Sequence, residues 1–251
     1  TRVRSSAASD VYKRQIYIIW GEFMNKLIIG ISPRFSHDYN SDYHYVRINI
    51  DYLNQVIHRD AIPFILYDGP NIDAALQMCD GFIIIGGDDI NPKFYNENND
   101  NNLSKGIEEI TDSIDQKILN YAISHHIPTL GICRGIQAMA AFMNGSLYQD
   151  IYFANLNHPQ ENKKHYVTKV SNTKLTSLLP ESFLVNSYHH QSVKDLPDGF
   201  ITTFVNQDVI EAIEHQTLPL IGIQWHPERF YTNESKIIFD YFFDLIKEYK
   251  K

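Results

Sequence analysis

Thr129-Leu130-Gly131-Ile132-Cys133-Arg134-Gly135-Ile136-Gln137 is an apolar run that breaks at one cysteine framed by two glycines. The run from Ile127 to Ile132 reads as a buried strand and Ile136 to Met143 has helical spacing, so Cys133 falls at a strand-to-helix corner. Gly-x-Cys-x-Gly is the cysteine form of a nucleophile elbow. Such a corner strains the backbone of its central residue and brings neighbouring chain close; glycines at the flanking positions leave room for that approach. The corner also sets the sulfur at the amino end of a helix, where partial positive charge favours thiolate over thiol. A free cysteine is more often a plain core residue. The paired glycines, with the histidine segment downstream, turn the reading to a catalytic nucleophile.

Upstream of this corner, apolar runs alternate with helical patterns: Leu27 to Ile31, Tyr45 to Arg59, Pro63 to Tyr67, Ile72 to Met78 and Phe82 to Ile85. That alternation predicts βαβ units and a parallel sheet. After a loop from Gly86 to Lys105, a helix over about Ile110 to Ser124 carries Ile110, Ile114, Ile118, Leu119 and Ala122 on one face. Downstream, short strand candidates fall at Ser146 to Gln149, Tyr166 to Val170, Phe183 to Val185, Ile201 to Val205, Val209 to Glu214 and Leu220 to Gln224. A final helix is expected from about Glu234 to Lys247. No internal repeat or linker divides the chain, so residues 24–251 read as one domain. The opening residues 1–23 place four basic residues ahead of a five-residue apolar run, too short for a signal peptide. They read as leader or extraneous sequence outside the fold.

Composition narrows the partners. The 251 residues are 43% hydrophobic and 21% charged, ordinary for a globular α/β protein, and the formal net charge is -8. An acidic balance argues against nucleic acid or an anionic membrane as partner and favours a small-molecule substrate. Two cysteines are too few for a disulfide framework, which suits a reducing, cytoplasmic setting. Cys79, beside Asp80, reads as structural.

A cysteine nucleophile needs a base and a group that orients the base, and Gly222-Ile223-Gln224-Trp225-His226-Pro227-Glu228 offers both. Pro227 disfavours helix at His226, and in extended chain alternate side chains project to one side about 7 Å apart. Glu228 can then accept from one ring nitrogen of His226 and leave the other facing the sulfur. An exposed His-Pro turn is the plain alternative; the preceding buried-looking strand and the elbow favour a Cys133–His226–Glu228 triad. Acyl transfer also needs oxyanion donors. Ile83 to Ile85 runs into Gly86-Gly87-Asp88, where backbone amides can approach a ligand, so the amides of Gly87 and Arg134 are the expected hole. A simple turn would also suit Gly-Gly-Asp.

Together these motifs resemble the class I glutamine amidotransferase superfamily, in which a strand-elbow-helix cysteine works with a His-x-Glu pair. Within it the chain looks most like the gamma-glutamyl-gamma-aminobutyrate hydrolase branch. The points of resemblance are Gly86-Gly87-x-Asp89-x-x-Pro92, Arg134 after the cysteine, Leu147-Tyr148-Gln149-Asp150, Asn186-Ser187-x-His189-His190-Gln191 and Gln224-Trp225-His226-Pro227-Glu228. The resemblance implies a flavodoxin-like three-layer α/β/α sandwich with a mainly parallel sheet, and a cysteine-dependent hydrolase acting on γ-glutamyl amides. It further implies that Gln137, Ser187 and His189 bind substrate. Asp60-Ala61 and Asp208-Val209 depart from positions where the family often has Gly-Gly and Asp-Gly.

No cofactor is expected. Adjacent His189 and His190 point to opposite faces of extended chain, and no cysteine or carboxylate cluster with ligand spacing accompanies them, so no metal is expected either. His125, His126 and His158 read as exposed helix-end and loop residues. Two rivals share the scaffold: a glutaminase subunit that hands ammonia to a separate synthase, and a non-catalytic ligand-binding protein. A homodimer is compatible with all three readings, and the intact nucleophile, base and orienter count against the last.

Overall fold

A computed structural model describes residues 26–37, 44–159 and 162–250; the segment 1–23 read as extraneous lies outside the described residues. Thirteen strands and six α-helices are distributed over it, built on one nine-stranded sheet. Strands β1 (Ile28–Ser32), β4 (Ile62–Ile65), β5 (Gly81–Ile84) and β6 (Thr129–Ile132) pair in parallel with β13 (Leu220–Ile223), in the order β4-β1-β5-β6-β13. On the far side of β13 the sheet continues antiparallel through β12 (Val209–His215), β11 (Phe200–Asn206), β8 (His165–Lys169) and β9 (Ser182–Val185).

Both faces of the parallel half are covered, which is why its strands are continuous apolar runs. Strand alternation sends Phe82 and Ile84 to one apolar cluster and Ile83 and Ile85 to the other. On the first face pack α2 (Ile72–Gln77), α3 (Glu109–His125) and α4 (Arg134–Phe142), through Leu76, Ile114, Ile118, Ile136 and Met139. On the second pack α1 (Ile50–Ile57) and α6 (Asn233–Tyr249), through Tyr52, Val56, Ile238, Phe239 and Phe242. The result is the three-layer α/β/α sandwich expected, extended by four antiparallel strands.

One predicted element divides. The helix expected over Tyr45 to Arg59 begins only at Ile50, because the Asn49 side chain accepts from the Asp51 amide and caps the first turn. The residues before it form β3 (His44–Arg47), which pairs antiparallel with β2 (Arg34–His37) in a hairpin of its own. A short pairing of β7 (Leu147–Tyr148) with β10 (Ser192–Val193) and the four-residue helix α5 (Lys174–Ser177) complete the described elements. Asp60, where the family resemblance suggested a glycine, has φ 55° and so holds the left-handed conformation that glycine adopts freely.

Candidate active site

The site forms at the carboxyl ends of β5, β6 and β13, the edge where open parallel sheets gather their ligands. Cys133 caps α4 with φ 54° and ψ -103°, a conformation rare for any residue with a Cβ. Its amide donates to the Ile223 carbonyl at 2.7 Å, which locks the corner to β13. The flanking glycines are needed for contact. A Cβ on Gly131 would meet the Gly135 carbonyl carbon at 2.6 Å, and one on Gly135 would meet the Ile84 carbonyl oxygen at 2.3 Å.

His226 follows β13, and its Nδ1 lies 2.6 Å from Glu228 Oε1. The carboxylate can only accept, so Nδ1 carries the proton and Nε2 is the nitrogen left for Cys133, which lines the same cleft. Burial alone would lower the imidazole pKa, but the adjoining Cys133 and Glu228 override it and push it up to about 10. His226 is therefore an imidazolium at neutral pH. Its backbone is held by a side chain from the β9–β10 loop: Asn186 Oδ1 accepts from the His226 amide at 2.8 Å and Asn186 Nδ2 donates to its carbonyl at 2.9 Å.

Across from the sulfur, Arg34 governs the glycine pair. Its Nε donates to the Gly86 carbonyl at 2.9 Å and its Nη2 to the Ile85 carbonyl. Peptides among the described residues are trans, so each amide points opposite to its preceding carbonyl. Gly86 N–H accordingly turns away from Arg34 and donates to Tyr52 Oη at 3.0 Å, while Tyr52 Oη lies 3.3 Å from His226 Nδ1. Gly87 N–H turns the same way and has no hydrogen-bond partner among the described residues. The Arg134 amide, in the first turn of α4, belongs to the group that a helix leaves without an internal partner. A Cβ on Gly86 would lie 2.7 Å from His226 Cε1 and 3.4 Å from Cys133 Cβ, so these groups converge on one point.

Beneath the glycine pair lies a buried quartet. Arg34 and Arg134 both reach Asp115, Arg134 also reaches Asp112, and Arg134 Nε donates to the Asp88 carbonyl at 2.8 Å. Two cations balance two anions in a region where every side chain is nearly inaccessible. Burial pushes the Asp112 carboxyl up to about 6 despite Arg134.

These groups open into a cleft of about 460 Å³ whose walls include Arg34, Arg47, Tyr52, Gly87, Tyr188 and Arg229. The structure thus brings together Cys133, His226, Glu228 and the Gly87 and Arg134 backbones. Gln137, Ser187 and His189 stand otherwise. All three are buried and none lines the cleft; Gln137 Nε2 is within 3.3 Å of the Gln191 carbonyl, and His189 Nδ1 lies 3.0 Å from the same oxygen. From the Asn186–Gln191 loop it is Tyr188 that reaches the cleft, its ring 5.6 Å from that of His226. Sequence reading passed over Arg34 and Tyr52. A tyrosine on the apolar face of α1 was a usable signal, since a buried hydroxyl needs a partner; Arg34 carried none.

The expected exposure of His158 and the expected lack of a carboxylate cluster beside the histidines are corrected. His158 is buried, not exposed, and the sheet extension assembles a ligand set that linear spacing hides: His158 Nε2, His165 Nε2 and His189 Nε2 lie 2.9, 3.0 and 3.8 Å from Glu211 Oε1. The expectation of no metal rested on the absence of such a cluster.

The sequence profile of the peptidase C26 family matches residues 27–228. The chain belongs to the peptidase C26 family. A Schizosaccharomyces pombe protein provisionally named as a glutamine amidotransferase is 32% identical over 209 residues, covering 80% of this chain and 83% of its own. Gamma-glutamyl-gamma-aminobutyrate hydrolase of Escherichia coli is 28% identical over 205 residues, covering 70% and 76%. Among solved structures, a Thermoplasma acidophilum protein provisionally named as part of a GMP synthase superposes with a TM-score of 0.66 at 19% identity, over 90% of this chain and 96% of that one. The fold is thereby that of the class I glutamine amidotransferases, and the family is one of hydrolases. Among the described residues no helix is long and apolar enough to cross a membrane.

Proposed function

We propose that this chain is a stand-alone cysteine hydrolase that cleaves a γ-glutamyl amide, of the γ-glutamyl-γ-aminobutyrate type, through a γ-glutamyl thioester. The observation that carries this reading is the His226 Nδ1–Glu228 Oε1 contact at 2.6 Å, in the same cleft as Cys133 and beside a glycine peptide whose carbonyl is clamped by Arg34. In this mechanism the Cys133 sulfur attacks the γ-carbonyl carbon, and the amides of Gly87 and Arg134 take the developing oxyanion. Collapse of the tetrahedral intermediate breaks the C–N bond as His226 passes its proton to the departing amine. Water, giving its proton back to His226, then opens the thioester and releases glutamate. Glu228 holds the ring in the tautomer that both steps require.

Two further features support the substrate class. In an acidic chain the cleft wall carries the exposed Arg47 and Arg229, cations suited to the α-carboxylate of a glutamyl group. Tyr188 stacks under the Arg229 guanidinium at 5.7 Å and stiffens that wall. The clamp also bears on autonomy, because a donor peptide already held by Arg34 needs no partner protein to turn it.

The test is kcat/KM of the purified chain, free of other proteins, for γ-glutamyl-γ-aminobutyrate and for glutamine. The reading expects turnover of both, with preference for the former, the two sharing a glutamyl pocket and differing in contacts to the leaving amine. Turnover that appears only when a synthase is added would instead establish an ammonia-delivering component.

A further inference from the structure

The antiparallel extension contains a second constellation, apart from the cleft, that the hydrolytic mechanism does not use. His158 precedes β8, His165 opens it, Glu211 lies on β12, and His189 sits in the loop between β9 and β10. All four are buried: Glu211 is 0% exposed and the histidines 8%, 4% and 3%. The imidazoles pack against one another, with the His158 ring centroid 4.7 Å from that of His165 and 4.9 Å from that of His189. The ligating atoms of His158, His165 and Glu211 lie within 4.8 Å of one another.

One hydrogen bond joins these groups, between His158 Nε2 and Glu211 Oε1 at 2.9 Å, and it leaves the remaining ring nitrogens and carboxylate oxygen unaccounted for. His189 Nδ1 lies 3.0 Å from the Gln191 carbonyl, which can only accept, so Nδ1 bears the proton. Its Nε2 is then a lone pair aimed at a carboxylate oxygen 3.8 Å away, two acceptors facing each other in a dry interior. His165 Nε2 approaches the same oxygen to 3.0 Å without hydrogen-bond alignment, and Glu211 Oε2 has no partner among the described residues. Buried polar atoms left this way are rare and costly. A cation at the centre of the group would pair the His165 and His189 Nε2 atoms that Glu211 leaves unsatisfied. Atoms bound about 2.0–2.1 Å from a tetrahedral ion sit roughly 3.3 Å apart, and the three separations from Glu211 Oε1 bracket that value.

We infer that His158, His165, His189 and Glu211 form a structural zinc site, three imidazole Nε2 atoms and one carboxylate closing a tetrahedral shell. Imidazole and carboxylate donors without thiolate suit a divalent first-row ion, and four protein ligands in a closed interior leave no position for substrate. The Gln191 carbonyl fixes the His189 tautomer from outside the shell, as carbonyls commonly do for metal-bound histidine. The site has a role to play at a distance. His189 anchors the same loop whose Asn186 grips the His226 backbone, so the ion would hold the loop that frames the catalytic imidazole.

Elemental analysis of the full chain after Zn2+ loading and desalting tests this, with Cys133→Ser as companion to exclude binding at the nucleophile. Both proteins should retain about one Zn2+ per chain, and Glu211→Gln and His165→Gln should retain less than about a tenth. Where a variant fails to fold, Co2+ replaces Zn2+ in the intact chain: bound by these ligands it gives the intense visible absorption of a tetrahedral ion, unchanged in Cys133→Ser. Chelation should lower Tm by roughly 10 °C, the shift expected when the ion is loaded at about a thousandfold excess over its dissociation constant. The inference is overturned if the loaded chain holds no Zn2+ and its Tm ignores chelator, or if the metal leaves with Cys133→Ser.

Discussion

Replacing Arg34 with methionine separates the two duties of the glycine-pair clamp. The Arg34 side chain is 5% exposed and donates to three carbonyls, those of Pro33, Ile85 and Gly86, and to Asp115. Methionine fills much the same volume and supplies no donor. Removing one partner of a buried charge pair costs about 3–5 kcal/mol. Here Asp115 keeps its contact with Arg134, so the lower end, about 3 kcal/mol, is expected. The loss should depend on pH. The quartet changes from two cations and two anions to one and two, and Asp112, already lifted to about 6, is the carboxyl positioned to take up a proton. A carboxyl whose folded-state pKa is raised binds protons preferentially when folded, so its protonation relieves the variant at low pH and the penalty grows as pH rises through that value. Urea denaturation should therefore give a larger difference from wild type at about pH 8 than at about pH 5. Catalysis should suffer separately. A Gly86–Gly87 peptide free to turn removes one oxyanion donor, worth about 10²–10³-fold in kcat. The alkylation rate of Cys133 by iodoacetamide, which needs no oxyanion hole, should stay near that of wild type. Wild-type kcat in a destabilised variant, or a stability loss identical at both pH values, would refute the clamp.

Other outcomes follow from the same geometry. Limited iodoacetamide labelling with peptide mapping should find Cys133 ahead of Cys79, whose thiol burial pushes up to about 12. His226→Ala should abolish turnover, whereas Glu228→Ala should leave measurable activity, because an orienting group contributes less than the base it orients; equal residual rates would contradict those roles. The imidazolium of His226, with its pKa raised from 6.5 to about 10, contributes stability that is complete below pH 6.5 and is lost as pH climbs through 10. The stability gap between wild type and His226→Gln should accordingly narrow over that interval, and a constant gap would count against the charge pairing. Gly135→Ala places a methyl 2.3 Å from the Ile84 carbonyl oxygen and should cost about 1–3 kcal/mol by denaturation, since backbone there cannot yield without moving α4 off the sheet.

What could be read in the sequence was whatever chemistry is local. Cys133 with its glycines, and His226 with Glu228 two residues on, announce themselves because a single turn or a two-residue repeat sets their geometry. The parallel strands were legible for the same reason. Groups assembled by tertiary pairing were not. Asp112 and Asp115 interrupt the polar face of a helix in the linear pattern, yet both turn inward to meet arginines that arrive from β2 and the elbow. The strand β3 that delivers Arg47 was read as the start of a helix, because Tyr45 and Val46 continue an apolar spacing that the Asn49 cap then cuts off. His158 and His165 meet Glu211 only because β8 and β12 flank the same strand, β11, in the antiparallel extension, a fact of strand order with no trace in spacing.

Cys133 has one more consequence. Its φ of 54° lies where glycine rests freely and a side chain costs about 1–3 kcal/mol, so the fold would be more comfortable with the nucleophile deleted. Drift guided by foldedness alone would replace this cysteine with glycine and lose nothing but chemistry. The bent residue thus records a standing compromise, in which each round of inheritance keeps a slightly less stable chain for the sake of the reaction it performs.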